Sequence, residues 1–506
     1  MMKPNSIFCE KVNRKLGLLV VIFFLIMKGF SQVPFEKAYT TIPNPGWMVY
    51  QSITHIEKIS TTGAFYGVGN LNPTAGGYTN EWSLNLWKLD AYGDTIWVKT
   101  LPQSDPGSFW IAVDASLRSD GSMYVLYRQY NPGYDFNGVL LVNASGNIEW
   151  NTPITSQGEY AQGRLTQIST TPDGGSIICG STSYTPSLPY VVKLSATGSI
   201  EWSSTSFPND PGYNKFNDVC ITTDSSYIFT GLVHHNVESK YRMVVSKVSQ
   251  TGNVLWNIVL NSGSLTSGDS IWSEGLSVAP APQGGALVTG YKTFPGTQGK
   301  DTWVFQIDSL GNWPPVWQKM MGITAFNNSK GEKIMRTSDG NYLLFASDNW
   351  GNTSNNPQLI KMNPSGNVLW SQVGYYRYFE YNLFPCSITN TDEVLFCGTS
   401  SNDPSYARFT HPTSDGIFRA PRLFLPENNA ENQPTSFTLK INAPFTIHNF
   451  SSYWYQLSID SNFNGELINQ VVDLDTILWI ATCIPMANGL DFQQLQYSPS
   501  HPDPPK

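Results

Sequence analysis

Lys193-Leu-Ser-Ala-Thr-Gly198-Ser-Ile-Glu-Trp202 decides how this chain is read, because the segment recurs. It returns as Lys88-Leu-Asp-Ala-Tyr-Gly93-Asp-Thr-Ile-Trp97, Leu141-Val-Asn-Ala-Ser-Gly146-Asn-Ile-Glu-Trp150 and Lys247-Val-Ser-Gln-Thr-Gly252-Asn-Val-Leu-Trp256. Gln306-Ile-Asp-Ser-Leu-Gly311 is a further copy, with an insertion before Trp317, and Lys361-Met-Asn-Pro-Ser-Gly366-Asn-Val-Leu-Trp370 is the last. Successive glycines stand 53, 52, 54, 59 and 55 residues apart, too even for chance. A second motif interleaves with the first and is clearest at Thr171-Pro-Asp-Gly-Gly-Ser-Ile-Ile-Cys-Gly180.

Both motifs read as strand, tight turn, strand. The Asp-Gly and Asn-Ala-Ser-Gly stretches supply the positive φ that hairpin turns need. Their flanks are short and rich in Val, Ile, Tyr and Phe, residues that suit a pleated, half-buried surface. Each period of about 55 residues therefore holds four short strands, the pattern of a propeller blade. In the clearest copy they fall near 165–169, 176–182, 190–195 and 199–206.

Working outward, the ends of the repeat predict how the ring closes. The last copy lacks a Trp-bearing fourth strand after Arg408–Gly416, while Phe35-Glu-Lys-Ala-Tyr-Thr-Thr-Ile-Pro43 is a strand without a partner in sequence. The expectation is an all-β chain: a seven-bladed β-propeller over 33–420, closed by the N-terminal strand, which protects the open edges. Residues 36–420 make 385 positions, and 385/7 is 55.

Composition agrees. Charged residues are 13% of the 506, about half the usual share, and 42 Gly with 33 Pro call for many turns, which excludes coiled coil, long bundles and disorder. A net charge of −8 gives no reason to bind nucleic acid or an anionic membrane. Lys3, Lys11, Arg14 and Lys15 precede an apolar run, Leu16–Met27, too short to span a bilayer, so 1–32 is expected to be a signal peptide. The mature chain is then expected to be secreted or at the cell surface, monomeric and without a membrane span.

The segment D-A-x-x-G-x-x-x-W resembles the Trp-docking repeat of quinoprotein-like (PQQ-like) propellers, and is closer still to repeat propellers of secreted Bacteroidetes-type surface proteins. The resemblance implies fold, not chemistry. Quinoprotein dehydrogenases hold their cofactor beside adjacent cysteines, which this chain does not have, so no cofactor is expected. Residues 423–497 resemble a fibronectin type III domain, divergent or truncated, giving a small C-terminal β-sandwich. A disordered tail is expected over 498–506.

The repeat tryptophans Trp97, Trp150, Trp202, Trp256, Trp317 and Trp370 are read as structural seals between blades. Ligand contacts are expected on the face carrying the long irregular loops, where Trp47, Trp110, Tyr160, Tyr213, Trp272, Phe326 and Tyr378 recur about once per blade; framework packing is the competing role for them. His234-His235 would point to opposite faces of a strand and does not read as a ligand pair. After Cys9 in the leader, Cys179, Cys220, Cys386, Cys397 and Cys483 remain; with no CxxC they read as buried small hydrophobes, and no metal site is expected. No catalytic residues are expected, since no Walker-type loop, HExxH or GxSxG occurs. The reading is thus a non-catalytic binding or adhesion scaffold for a glycan or surface protein. The alternative is a secreted polysaccharide-active enzyme with its site in the central funnel. Carboxylates converging on the axis would favour the alternative.

Overall fold

The computed structural model describes residues 36–39, the strands and tight turns that make up most of 50–410, and the strands 436–440, 452–458, 467–473 and 478–482. The apolar N-terminal run and the tail lie outside the described residues. Among the described residues there is no α-helix, and no helix long and apolar enough to cross a membrane.

The chain is all-β and builds several four-stranded antiparallel sheets, each a meander. Strand β1 is Glu36–Tyr39, and β2 (Tyr50–Lys58), β3 (Phe65–Asn72), β4 (Ser83–Leu89) and β5 (Thr95–Thr100) form one sheet. The next contains β6 (Phe109–Leu117), β7 (Met123–Asn131), β8 (Tyr134–Val142) and β9 (Ile148–Ser156), with a short fifth strand β10 (Glu159–Tyr160) on its outer edge. Then come β11 (Leu165–Thr170), β12 (Ser176–Ser181), β13 (Pro189–Leu194) and β14 (Ile200–Ser204), whose bounds lie within two residues of those read from the repeat. The pattern continues with β15 (Lys215–Ile221), β16 (Tyr227–His235), β17 (Lys240–Val248) and β18 (Val254–Val259). It repeats in β19 (Ser273–Pro280), β20 (Ala286–Thr293), β21 (Lys300–Ile307) and β22 (Trp317–Met321), then in β23 (Ser329–Arg336), β24 (Tyr342–Trp350), β25 (Ser354–Met362) and β26 (Val368–Val373). Finally β27 (Tyr381–Ile388), β28 (Val394–Ser400) and β29 (Ala407–Thr410) make a sheet whose outer strand is β1, with Glu36 opposite Thr410 and Tyr39 opposite Ala407. In the C-terminal segment β30 (Ser436–Lys440) pairs with β33 (Leu478–Thr482), and β31 (Ser452–Ser458) with β32 (Leu467–Asp473).

Middle strands such as β12 and β13 are buried along their whole length. Successive side chains of a strand point to opposite faces, so such a strand must pack against a neighbour on each side. Ile178 faces Leu126 and Val139 of the preceding sheet, whereas Ile177 and Cys179 face Val219 and Phe229 of the following one. The same handover runs through the later sheets: Val245 with Val288, Leu287 with Leu344, and Leu343 with Val394. Leu395 and Cys397 of β28 then lie against Ile53, Ile56 and Phe65 of the first full sheet. Sheets stacked face to face in chain order, with the last on the first, are a β-propeller.

The repeat tryptophans sit at the joints between sheets. Trp202 donates from Nε1 to Gln250 O at 3.0 Å, Trp256 to Ser309 O at 3.0 Å and Trp317 to Pro364 O at 2.9 Å, each in the turn of the next sheet. Gly252 shows why that turn carries glycine: its φ is +88°, and a Cβ there would fall 2.8 Å from the Trp202 ring. Gly252→Val therefore combines left-handed strain with displacement of the indole and is expected to cost at least about 2 kcal/mol. Urea unfolding checks this, and a wild-type midpoint would remove the packing role of the Gly–Trp pair.

The two motifs also join within a sheet. Lys193, fully buried, pairs with Asp173 at 2.9 Å, Lys247 with Asp224 at 2.7 Å and Lys361 with Asp339 at 2.8 Å. Each lysine opens a copy of the first motif and each aspartate lies in a turn of the second. Asp224 is pulled down to about 2: burial opposes the charge, but the Lys247 ammonium, Thr222 and the Ser226 N–H outweigh it.

Candidate functional site: the axial channel

The innermost strand of each sheet carries a β-bulge, at the same register in all but β27, where it falls two residues nearer the hairpin turn. Register shifts fall between Ile53 and His55, Ala112 and Asp114, Leu165 and Gln167, and Phe216 and Asp218. They recur between Gly275 and Ser277, Gly331 and Lys333, and Pro385 and Ser387. A bulge bends its strand and re-aims the following side chain. His55, Asp114, Gln167, Asp218, Ser277 and Lys333 are thus equivalent positions on six strands, and Ser387 follows the bulge of the seventh. All but Ser277 line one cavity of about 310 Å³, which Glu57, Ser116, Ser169 and Asn217 also border.

Most of these residues clip one inner strand to the next. Asp114 Oδ2 accepts from Ile168 N at 3.0 Å, Gln167 Oε1 from Val219 N at 3.1 Å, Asp218 Oδ2 from Val278 N at 2.9 Å, and Ser277 Oγ from Ile334 N at 3.2 Å. Ser387 Oγ donates to Ile56 O at 2.6 Å, carrying the girdle across to the first sheet. One turn higher, Glu57 Oε2 accepts from Leu117 N at 2.8 Å and Ser116 Oγ from Thr170 N at 2.9 Å.

Two charge clusters are set in this girdle. His55 Nδ1 lies 2.8 Å from Asp114 Oδ1, and its Nε2 lies 3.5 Å from Glu57 Oε2, near enough to feel the charge but without hydrogen-bond geometry. Burial would lower the imidazole's pKa, but Asp114 and Glu57 outweigh it and raise it to about 9. Lys333 Nζ lies 3.3 Å from Asp218 Oδ2, which also accepts from Ser277 Oγ at 2.5 Å. Burial again opposes the charge on Lys333, and Asp218, with Asp114 beyond it, raises its pKa. Both cations are therefore protonated at neutral pH.

A measurable consequence follows for stability. The folded-state pKa of His55 lies above its unfolded value of 6.5, so its contribution is complete below about 6.5 and is lost as pH rises through about 9. The shift corresponds to on the order of 3 kcal/mol. Wild type and His55→Gln compared by denaturant unfolding from pH 6 to 10 should converge at the alkaline end; equal losses in both would remove His55 as the cause.

Of the aromatic residues expected to contact ligand, Trp110, Tyr213 and Trp272 have described side chains. Trp110 is 5% exposed and stacks on Tyr127 at 4.6 Å. Trp272 is 40% exposed and meets Tyr241 edge to face at 5.5 Å. Tyr213 is half-buried beneath the Lys215 ammonium. Tyr160 lies on β10, and its side chain is outside the described residues, as are Trp47, Phe326 and Tyr378. His234 packs on Gly212 and meets Tyr241 at 5.4 Å, while its neighbour's side chain is not described. Nearby, Glu274 gathers Lys215 at 3.2 Å, Asn217 at 2.9 Å and Tyr291 at 3.1 Å.

Cys179 and Cys220 are free and buried, and burial pushes both thiols up. Cys397 is buried, as expected, but it is also disulfide-bonded, which the sequence reading did not include. Residue spacing does not reveal a pairing that only the folded chain creates. Among the described residues no group of His, Cys, Asp or Glu is arranged to hold a metal ion.

The axial residues were not identified from the sequence, although a signal exists. Asp114, Gln167, Asp218, Ser277 and Lys333 each precede by six residues the turn position held by Asp120, Asp173, Asp224, Gln283 and Asp339. Aligning those five copies on that turn lines these residues up.

No protein-family model matches the sequence, and no curated protein matches it. Several solved structures are similar at low identity. A protein of unknown function from Dyadobacter fermentans is 12% identical over 75% of this chain and 98% of its own, with a TM-score of 0.41. The β-propeller domain of the trilobed protease from Pyrococcus furiosus is 8% identical over 72% and 93%, with a TM-score of 0.43. The α-L-arabinanase of Penicillium chrysogenum, in complex with arabinobiose, is 11% identical over 60% and 94%, with a TM-score of 0.39. At these values the likenesses carry no argument about activity.

Proposed function

We propose that this chain is an exported, seven-bladed propeller, its last blade completed by β1, that binds a glycan or protein ligand at the cell surface without transforming it. The N-terminal leader directs export, the repeat tryptophans seal the blades, and the segment from 423 is an appended β-module. The disulfide at Cys397 fits an oxidising compartment.

The observation that carries the non-catalytic reading is the state of the axial charges. Asp114, Glu57, Asp218, His55 and Lys333 do converge, which is what a polysaccharide-active funnel would need. Yet each carboxylate is engaged by a backbone N–H and faces a cation. An acid/base pair for glycoside cleavage needs one carboxyl free to give a proton and another free to attack or activate water. A general base works best with a pKa near the operating pH, and the raised values of His55 and Lys333 leave both holding their protons.

The test is to incubate the mature protein with a panel of neutral and acidic polysaccharides, measuring co-sedimentation and reducing-end release together. Retention on at least one polymer without release is expected. Turnover that disappears in Asp114→Asn would establish the enzyme instead.

A further inference from the structure

Donors and acceptors in the axial channel do not balance. Asp114 spends both oxygens, on His55 and Ile168 N, and Asp218 spends both on Ser277, Val278 N, Val219 N and Lys333. The Nε2 of His55, a residue 8% exposed, is itself buried, lines the cavity and makes no hydrogen bond, with Glu57 Oε2 3.5 Å away. Gln167 uses its carbonyl oxygen on Val219 N, which leaves its amide nitrogen on the same wall. Glu57 uses Oε2 on Leu117 N, which leaves Oε1 as an acceptor.

The geometry points to a binding site in the channel for one small, uncharged, polyhydroxylated unit, such as the end of a neutral glycan, held by His55 Nε2, the Gln167 amide and Glu57 Oε1. This rests on the binding-scaffold reading and assigns that scaffold a place and a ligand class. Three arguments choose the class. A cation would find the aspartates already occupied by His55 and Lys333. An anion would enter a lining whose two cations are outnumbered by three carboxylates, in a chain of net charge −8. A neutral sugar both accepts and donates, as the unspent groups require. The cavity of about 310 Å³ sits at the lower end of the ~300–1,000 Å³ typical of small-molecule pockets.

Ligand-observed NMR and calorimetry on the mature chain test the site, using methyl glycosides of glucose, galactose and mannose, with glucuronate and glucosamine as charged counterparts. Saturable binding of at least one neutral glycoside is expected, at least tenfold tighter than either charged sugar. Ser169 lines the cavity without taking part in the clips, and Leu276 forms its wall at a bulge. Ser169→Phe and, independently, Leu276→Trp should each weaken glycoside binding at least tenfold while melting as the wild type does. No saturable binding of any neutral glycoside, a preference for a charged one, or unchanged affinity in a folded filling variant overturns the channel site. Polymer co-sedimentation that persists in Ser169→Phe while glycoside binding is absent would leave the scaffold reading standing and remove only this site.

Discussion

Asp218→Ala should destabilise the folded chain by about 3 kcal/mol, the lower end of the ~3–5 kcal/mol for breaking a buried ion pair from one side. Asp218 is 2% exposed and joins three inner strands: its own, that of Ser277 and Val278, and that of Lys333. Truncation leaves Val278 N without its acceptor and Lys333 without its counter-charge. The lower end applies because a quarter of the Lys333 side chain still reaches the channel. Asp218→Asn keeps an acceptor for Val278 N and should cost less. Adding Lys333→Met to Asp218→Ala should recover part of the loss, since it removes the stranded cation. Denaturant unfolding of the four proteins decides. A loss under about 1 kcal/mol in Asp218→Ala, or no recovery in the double variant, would show that the axial girdle does not hold the sheets.

Deleting residues 34–40 should lower stability by about 2–6 kcal/mol. It removes the pairing of β1 with β29 over four residue pairs, each ladder bond being worth roughly 0.5–1.5 kcal/mol net. The loss has a second part, because β29 becomes an uncovered edge, an invitation to pair with another chain. The deletion should therefore also raise light scattering during thermal unfolding. A synthetic peptide spanning 33–43 should restore much of the midpoint if added in excess, by binding the native state. An unchanged melting curve in the deletion would show that the ring does not depend on its first strand.

The parts of this molecule legible in sequence are those written by local chemistry. The turn glycines announce themselves because few other residues tolerate their φ, as at Gly252 and Gly198. The strands between them follow from Val, Ile and Tyr runs such as Ser176–Ser181, and the tryptophans mark each joint by their regular return. Trp110 and Trp272 show where legibility stops. They occupy comparable places in the repeat, yet one is sealed by Tyr127 and the other stands half in solvent. What separates them is the neighbour across the sheet, which no local pattern encodes.

The sequence by itself determined the period, the turn positions and the pattern of four short strands, since hairpin geometry and side-chain alternation act over a few residues. Only the tertiary structure decided that His55, Asp114, Asp218 and Lys333 meet. They are as much as 278 residues apart in the chain, and a bulge in each inner strand, closed into a circuit, turns them toward one axis.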